Sequence, residues 1–546
     1  MTERSTAEQM PIAARLRRGI RSFEPMYLAL LGLLAIPSYV FESLAVLELF
    51  EMFFFFFLWP FVAPLVELVV RRGTDEDETV EPTDWIYMGN WREYAAWFLM
   101  LPLGFLNPFV LAQDAMQWLG SAVAFARHRG SLPDAEGYDQ RVSYRLPFDS
   151  AWTVVNGSYD HDYSHSWFPA TQRYAYDFVI TDAEGRTAPE ASGADVEGYY
   201  CYDEPILAPA AGVVVDVLDD DLEPSRGGGV AHPLKRDIRG NYVVLQHAAD
   251  EYSCLAHLVP GSVTVAPGDR VQRGEEIGRC GHSGNSSEPH LHFQLQDHPN
   301  FVVAAGLPIA FDDVAIEWPG DEAPITDPLS DAEADDANER EREAIPNPIE
   351  TIANLEDGTY RPRAHLTAGQ RVTHVDRDDG DSSRTHIDDS DPTIVADKAG
   401  ATRASSQHRT GLASLQQVGF GACVSGVTTF FASIFVSSLT VAALLGAVAA
   451  VGVSYRAGAT FLRRDGSKHR SSSIGTAVGI GIVAAVVGWY GVTGPAIGIG
   501  VQGLGISVLL LGFVGYAVLG EYERLRLRES FPDRGGSRSR PSSPTE

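Results

Sequence analysis

Lysine is nearly missing from this chain: among 42 basic residues only Lys235, Lys398 and Lys468 are lysines, against 72 Asp and Glu and a net charge of -30. Such an acid excess excludes nucleic acid as a partner, because binding phosphates needs a basic surface. It equally excludes attraction to anionic lipid headgroups, except through local arginine clusters. Arginine in place of lysine and a heavy acidic load read as a salt-adapted, halophile composition, in which ions screen the self-repulsion. Cysteine is scarce too. The four are Cys201, Cys254, Cys280 and Cys423, and no CxxC pair exists to build a structural zinc knuckle. Cys254 and Cys280 are either a disulfide, if the domain faces an oxidising exterior, or buried free thiols. No small-residue cleavage site follows a short hydrophobic core near the start, so residues 1–24 read as a retained polar, cytoplasmic segment.

Apolar runs are present at both ends. Met26–Phe41 and Met52–Leu65 are apolar, and Tyr94–Ala112 is apolar but broken by Pro102, Gly104 and Pro108. Each is short against the roughly 20 residues that a bilayer crossing needs. Residues 25–130 are therefore an N-terminal membrane region of two or three helices, with Trp91, Trp97 and Trp118 as interface anchors. Residues 319–410, rich in Asp, Glu, Ser, Thr and Pro, read as an acidic disordered linker, with a short strand or helix around 348–375 left open. Residues 411–521 hold about three transmembrane helices: 419–453 is one long helix or a hairpin, and Ile474–Val492 and Ala496–Leu519 are two further spans. They are dense in Gly and Ala, as suits close helix packing in lipid. Residues 522–546 form a polar, Arg- and Ser-rich tail.

The positive-inside tendency puts the arginines at 456–470 and 524–528, and those of the N-terminus, in the cytoplasm. If 419–453 crosses once and Tyr94–Ala112 also crosses, the intervening domain lies outside. If 419–453 is a hairpin and Tyr94–Ala112 does not cross, it lies inside. The expectation is a multi-pass protein of the cell membrane with an extracytoplasmic domain.

That domain, residues 131–318, changes character. "GVVVDV" at 212–217, "NYVVLQH" at 241–247 and "HLHFQLQ" at 290–296 alternate β-branched and polar residues between Gly-rich turns and read as antiparallel strands. On a strand alternate side chains share a face, so His290 and His292 point the same way. Two such imidazoles serve one metal, or a metal and an acid/base step. His257 ends another apolar run and brings a third.

The string "GNYVVLQHAADEYSCLAHLVPGSVTVAPGDRVQRGEEIGRCGHSGNSSEPHLHFQLQ" resembles the C-terminal half of an M23 metallopeptidase domain of the LytM/lysostaphin type. "ILAPAAGVVVDV" is similar to the family's preceding strand, and "RLPFDSAWTVVNGS" and "QRYAYDFV" to its N-terminal strands. The resemblance implies an antiparallel M23 β fold of duplicated hairpins, zinc as cofactor, and hydrolysis of peptide bonds in cell-wall or cell-surface peptides. It implies Asp177 and His292 as zinc ligands, His257 and His290 as the catalytic pair, and a structural role for His247. The family's other ligand is a histidine four residues before the aspartate, where this chain has Arg173. Arginine has no lone pair to give. His165 is the expected replacement and His161 its runner-up. The alternative is a degenerate domain that binds or scaffolds a partner without catalysis. Trp167 and Tyr174 contact substrate or pack. The partners implied are a peptide or cell-envelope polymer and the lipid bilayer, with no nucleic acid; the sequence is silent on oligomeric state.

Overall fold

A computed structural model of the chain describes residues 25–59, 107–164, 166–189, 192, 194–229, 231–318, 359–375, 398–462, 472–494 and 500–530. His165 and the greater part of Tyr94–Ala112 lie outside these residues.

The centre is a β domain. Its strands are β1 (Trp152–Asn156), β2 (Tyr176–Val179), β3 (Pro205–Leu207), β4 (Gly212–Leu218), β5 (Asn241–Ala248), β6 (Glu251–Leu258), β7 (Arg270–Val271), β8 (Glu276–Arg279), β9 (Leu291–Gln296), β10 (Gly306–Leu307), β11 (Phe311–Glu317), β12 (Thr359–Ala364) and β13 (Arg371–His374). Eleven of them form one sheet in the order β12-β11-β13-β1-β2-β9-β6-β5-β4-β7, with β10 beside β9; β3 and β8 form a separate pair. Every strand pairing is antiparallel. Strands β12 and β13, which flank β11 on either side, lie within the expected linker, where a short strand or helix around 348–375 was left open. Arg361, Pro362 and Arg363 give β12 few apolar groups, but it is an edge strand, the one sheet position that tolerates proline.

Both faces of the central strands are covered. Val243, Leu245, Leu255, Phe293 and Leu295 join Trp152, Phe178 and Phe311 in one core, while Tyr242, Val244, Tyr252, Cys254 and Ala256 face a helical layer. This alternation explains the near-continuous apolar run of β5 and β6. It also separates Cys254 from Cys280, which lie in different cores; all four cysteines are free and buried.

The helices are α1 (Ile36–Val40), α2 (Pro108–Arg127), α3 (Lys398–Ala432), α4 (Ser438–Leu462), α5 (Ser472–Thr493) and α6 (Val501–Ser530), with 3-10 segments at Pro25–Ala35 and Glu42–Leu58. Asn107 caps α2, its side chain accepting from the backbone N–H of Phe109 and Val110, and Pro108 occupies the first turn where no N–H is needed. The buried stripe of α2 carries Gln113, Gln117 and Ser121, which bond β-domain loops: Gln113 Nε2 donates to Arg236 O (2.7 Å), Gln172 Nε2 to Gln117 Oε1 (3.0 Å) and Ala170 N to Ser121 Oγ (3.1 Å). Buried amides find such partners in protein, not in lipid. Residues 108–127 therefore pack as a layer on the β domain, and Trp118 packs edge-on against Phe168.

The segment 419–453 is a helical hairpin, α3 ending at Ala432 and α4 starting at Ser438, and α3 begins within the expected linker. Among the described residues, Ile474–Thr493 and Val501–Glu529 are long and apolar enough to cross a membrane, and Pro25–Ser38 and Ser438–Val451 are shorter apolar helices.

Candidate active site

The site lies on the helix-covered face of the sheet, where β2, β6 and β9 adjoin. Asp177 pairs in register with His292, and His292 with Ala256. His292 Nδ1 lies 2.8 Å from Asp177 Oδ1, and His290 Nε2 lies 3.6 Å from the same oxygen. Asn156 Nδ2 holds the other oxygen, Oδ2, at 2.9 Å. The His257 ring is 4.7 Å from that of His290 and 5.7 Å from that of His292.

Strict alternation would put His257 on the face of Leu255, away from His292. Its φ of 64° breaks the alternation and turns the ring to the site. Two glycines hold the turned residue. Gly240 (φ 62°) and Gly284 (φ 79°) touch backbone to backbone, and a Cβ on Gly284 would sit 2.2 Å from Gly240 N. Their contact presses Ser283 against β6, where Ser283 O accepts from His257 Nδ1 (2.7 Å) and Ser283 Oγ donates to Leu258 O (2.7 Å).

Each imidazole is fixed in one tautomer by a partner that only accepts. His257 Nδ1–H faces Ser283 O, and His290 Nδ1–H faces Glu288 O at 2.8 Å. His257 thereby turns its Nε2 to the cleft, and His290 turns its Nε2 towards the Asp177 carboxylate. His292 Nε2–H donates to Gln294 Oε1 (3.1 Å), whose amide is oriented by Nε2 donating to Thr171 O (3.0 Å) and Gln296 Oε1 (2.7 Å). The Nδ1 lone pair of neutral His292 thus confronts the Asp177 carboxylate at 2.8 Å, an arrangement that needs a proton or a cation between the two. Burial disfavours charge on His292, yet the bond to Asp177 and its charge lift the His292 pKa. Burial, reinforced by His290 and His292, drives that of His257 well below the ordinary value. One base is kept neutral beside another that attracts positive charge.

A cleft of about 480 Å³ opens over these groups. Asp177, His257, His290 and His292 line one side, Asn285 and Lys235 another, and Asp114 and Gln117 of α2 form a wall. Lys235 Nζ donates to Asn285 Oδ1 (2.9 Å).

Other expected residues lie elsewhere. The His161 ring packs edge-on against Trp167 at 5.2 Å, and the Arg173 guanidinium lies 4.5 Å over the same indole. Neither lines the cleft. Trp167 and Tyr174 are buried and pack on each other. His247 bonds Ala211 O and Ser253 Oγ as a core residue. Asn156, Ser283 and Gln294 were not foreseen; Gln294 alone had a visible signal, standing two residues after His292 on the same strand face. Among the described residues no group of three or more His, Cys, Asp and Glu gathers to hold a metal ion. The facing lone pairs of Asp177 and His292 nevertheless fit a cation that draws a further ligand from elsewhere.

Residues 191–303 match the family model described as peptidase family M23. These residues make up the greater part of the β domain, which resembles that family. The match encloses His257, His290 and His292, and stops short of Asp177 on its N-terminal side. The peptidoglycan DD-endopeptidase ShyA of Vibrio cholerae is 28% identical over 190 residues, covering 34% of this chain and 35% of the relative. ShyB of the same organism, also described as a peptidoglycan DD-endopeptidase, is 27% identical over 194 residues, 35% of this chain and 37% of its own. The chain thus spans about a third of the length of these curated relatives. Solved structures similar to it include a zinc-containing peptidase from Vibrio cholerae (23% identity, 31% of this chain and 41% of that one, TM-score 0.19). The lysostaphin catalytic domain from Staphylococcus simulans is another (19% identity, 31% and 88%, TM-score 0.17).

Proposed function

We propose that the chain is a membrane-anchored zinc metalloendopeptidase hydrolysing a peptide amide bond in the cleft between α2 and β9. The observation that carries the reading is the 2.8 Å Asp177–His292 contact, in which Gln294 Oε1 engages His292 Nε2 and so turns the Nδ1 lone pair of a neutral His292 towards the carboxylate. Asp177 and His292 would hold the metal, with His165 proposed as third ligand on the sequence alone. Zinc in such a set acidifies water and polarises a carbonyl. Neutral His257 accepts a proton at Nε2 and returns it to the leaving amine. His290, once protonated at Nε2, donates to the oxygen on which negative charge develops. The helical layer, with its apolar spans, anchors the domain to a lipid bilayer. The expected substrate, a cell-wall or cell-surface peptide, depends on which side of that bilayer the cleft faces.

The second reading, a degenerate M23 domain that binds a partner, is favoured by Arg173 and by the absence of a three-ligand group among the described residues. Elemental analysis of the purified full chain separates the two. About one zinc per chain, lost in Asp177→Ala and His292→Ala but retained in an inactive His290→Ala, supports the peptidase. A folded chain that takes up no zinc after supplementation sinks it and leaves the binding module.

A further inference from the structure

The direction of each helix in the C-terminal bundle can be read from glycine contacts. Gly419 of α3 lies against Gly512 and Tyr516 of α6, and Gly426 against Gly505 and Leu509, so these two helices are antiparallel. Gly475 of α5 lies against Ser414 of α3 and Gly479 against Val418, so α3 and α5 are parallel. Gly491 of α5 meets Ser438 and Leu439 of α4, and Gly488 meets Ala442, so that pair is antiparallel. The starts of α3 and α5 and the ends of α4 and α6 therefore share one end of the bundle. The turns after α3 and α5 share the other.

The β domain sits at the first of these ends. Arg524 of α6 pairs with Asp250 in the β5–β6 turn at 2.6 Å, Arg528 approaches the same carboxylate at 3.6 Å, and Glu521 lies 3.5 Å from His298. The N-terminal hairpin begins at this end as well, Tyr27 donating its hydroxyl to Trp167 O.

The charges of the sequence fall into place on this frame. At the β-domain end are Arg524, Arg526 and Arg528 of α6; in the sequence, Arg463, Arg464, Lys468 and Arg470 follow the end of α4, and Arg15, Arg17, Arg18 and Arg21 precede Pro25. At the far end, residues 433–437 contain no charged residue and the N-terminal hairpin turns at Phe41–Glu42; the sequence that joins α5 to α6 is likewise uncharged. Between the ends the bundle shows Leu444, Val448, Ile482, Val486, Leu511 and Val518 to the surroundings. This is the apolar girdle and one-sided basic rim of a bundle seated in a bilayer, with its lysines and arginines held on the cytoplasmic side.

We propose that the β domain and its cleft lie on the cytoplasmic face of the membrane, in the compartment of the basic rim, so that its substrate is a peptide segment reached from the cytoplasm and not an external wall polymer. The sidedness stands on the bundle alone; only the word substrate rests on the peptidase reading. The external placement expected from the sequence required 419–453 to cross once, and it is a hairpin.

The test uses the full chain in cell membranes, with Leu234→Cys on an exposed β-domain loop and Phe435→Cys on the far turn, the four native thiols being buried. A membrane-impermeant maleimide is applied to intact cells and to inside-out vesicles. The expected result is labelling of Leu234→Cys only in inside-out vesicles and of Phe435→Cys only in intact cells. Labelling of Leu234→Cys in intact cells, or of both variants from one side, overturns the proposal. Protease protection of the unsubstituted chain gives a second reading that needs no variant: a β domain digested in intact cells overturns it too. Neither arm reads catalysis, so a cytoplasmic domain without zinc would refute the peptidase and leave the orientation standing.

Discussion

Replacing Gln294 by leucine tests the tautomer argument directly, because this amide touches no substrate and acts only through His292. The substitution strips three buried groups of a partner: His292 Nε2–H, Thr171 O and Gln296 Oε1. Leaving a buried polar group unsatisfied costs about 1–3 kcal/mol, and the added apolar burial of leucine returns part of that, so a net loss of about 3 kcal/mol in stability follows. The effect on metal is separate. With Nε2 released, His292 takes either tautomer and the Nδ1 lone pair is no longer aimed at Asp177; loss of such a supporting partner weakens metal about 10–100-fold. Gln294→Glu keeps an acceptor against Nε2, so its zinc affinity stays close to that of the parent even though it loses the donor to Thr171 O. Competition against a chromogenic chelator reads the affinity, and thermal unfolding of the same samples reads the stability. Equal zinc affinity in the parent and Gln294→Leu would refute the reasoning, whatever happens to stability.

Three other perturbations follow from particular contacts. Burial lowers the His247 pKa from 6.5 to about 4, so between those values the unfolded chain binds more protons than the folded one. Stability is full above pH 6.5 and falls as pH drops towards 4, by about 3 kcal/mol at 1.4 kcal/mol per tenfold; unfolding midpoints across that window should show the loss, and His247→Gln should flatten it. Gly284→Ala places a Cβ 2.2 Å from Gly240 N at a φ of 79°, which costs about 1–3 kcal/mol in backbone strain alone. It should also abolish peptide cleavage by displacing Ser283 from His257, and a fully active variant would show that the glycine contact does not position the base. Gly120→Ala puts a Cβ 1.6 Å from Val302 O, so α2 must shift outward; a lowered unfolding temperature and a raised KM with kcat retained are expected, and an unchanged KM would mean that α2 is not a wall of the working cleft.

How far the site was legible depended on whether local periodicity survives in the fold. His290 and His292 could be placed together because β9 keeps strict alternation, and Asp177 joins them through an unbroken register with β2. His257 could be placed beside them only by resemblance, since its left-handed backbone sends the ring to the face that alternation forbids. Gln294 was visible in "HLHFQLQ" as a residue on the right face, but its role exists only once Thr171 is folded against it. Strand β12 was no more than an open alternative for the opposite reason: an edge strand with arginines and a proline buries little and resembles a linker. The glutamines of α2 mark a helix that binds protein, yet they sit at the end of an apolar run that reads as membrane.

Arg173 shows why a missing ligand and a retained fold are compatible. A histidine at that position would serve metal only with its ring in the cleft, whereas the guanidinium here lies 4.5 Å over the ring of Trp167, which is buried and also packs against His161 and Tyr174. Stacking of a cation on an indole is worth about 0.5–2 kcal/mol, so the exchange turns a metal ligand into a packing group that stabilises the β1–β2 connection. The Asp177–His292 contact is untouched by that exchange, because its geometry is set from β9 by Gln294 and from β1 by Asn156. The half of the site that the strands build is therefore independent of the half that the connection supplies, and a replacement ligand has only to come from a loop. His161, the runner-up, packs its ring on Trp167, and we propose His165 as the residue whose substitution by alanine removes zinc while the Asp177–His292 pair and the unfolding temperature stay unchanged.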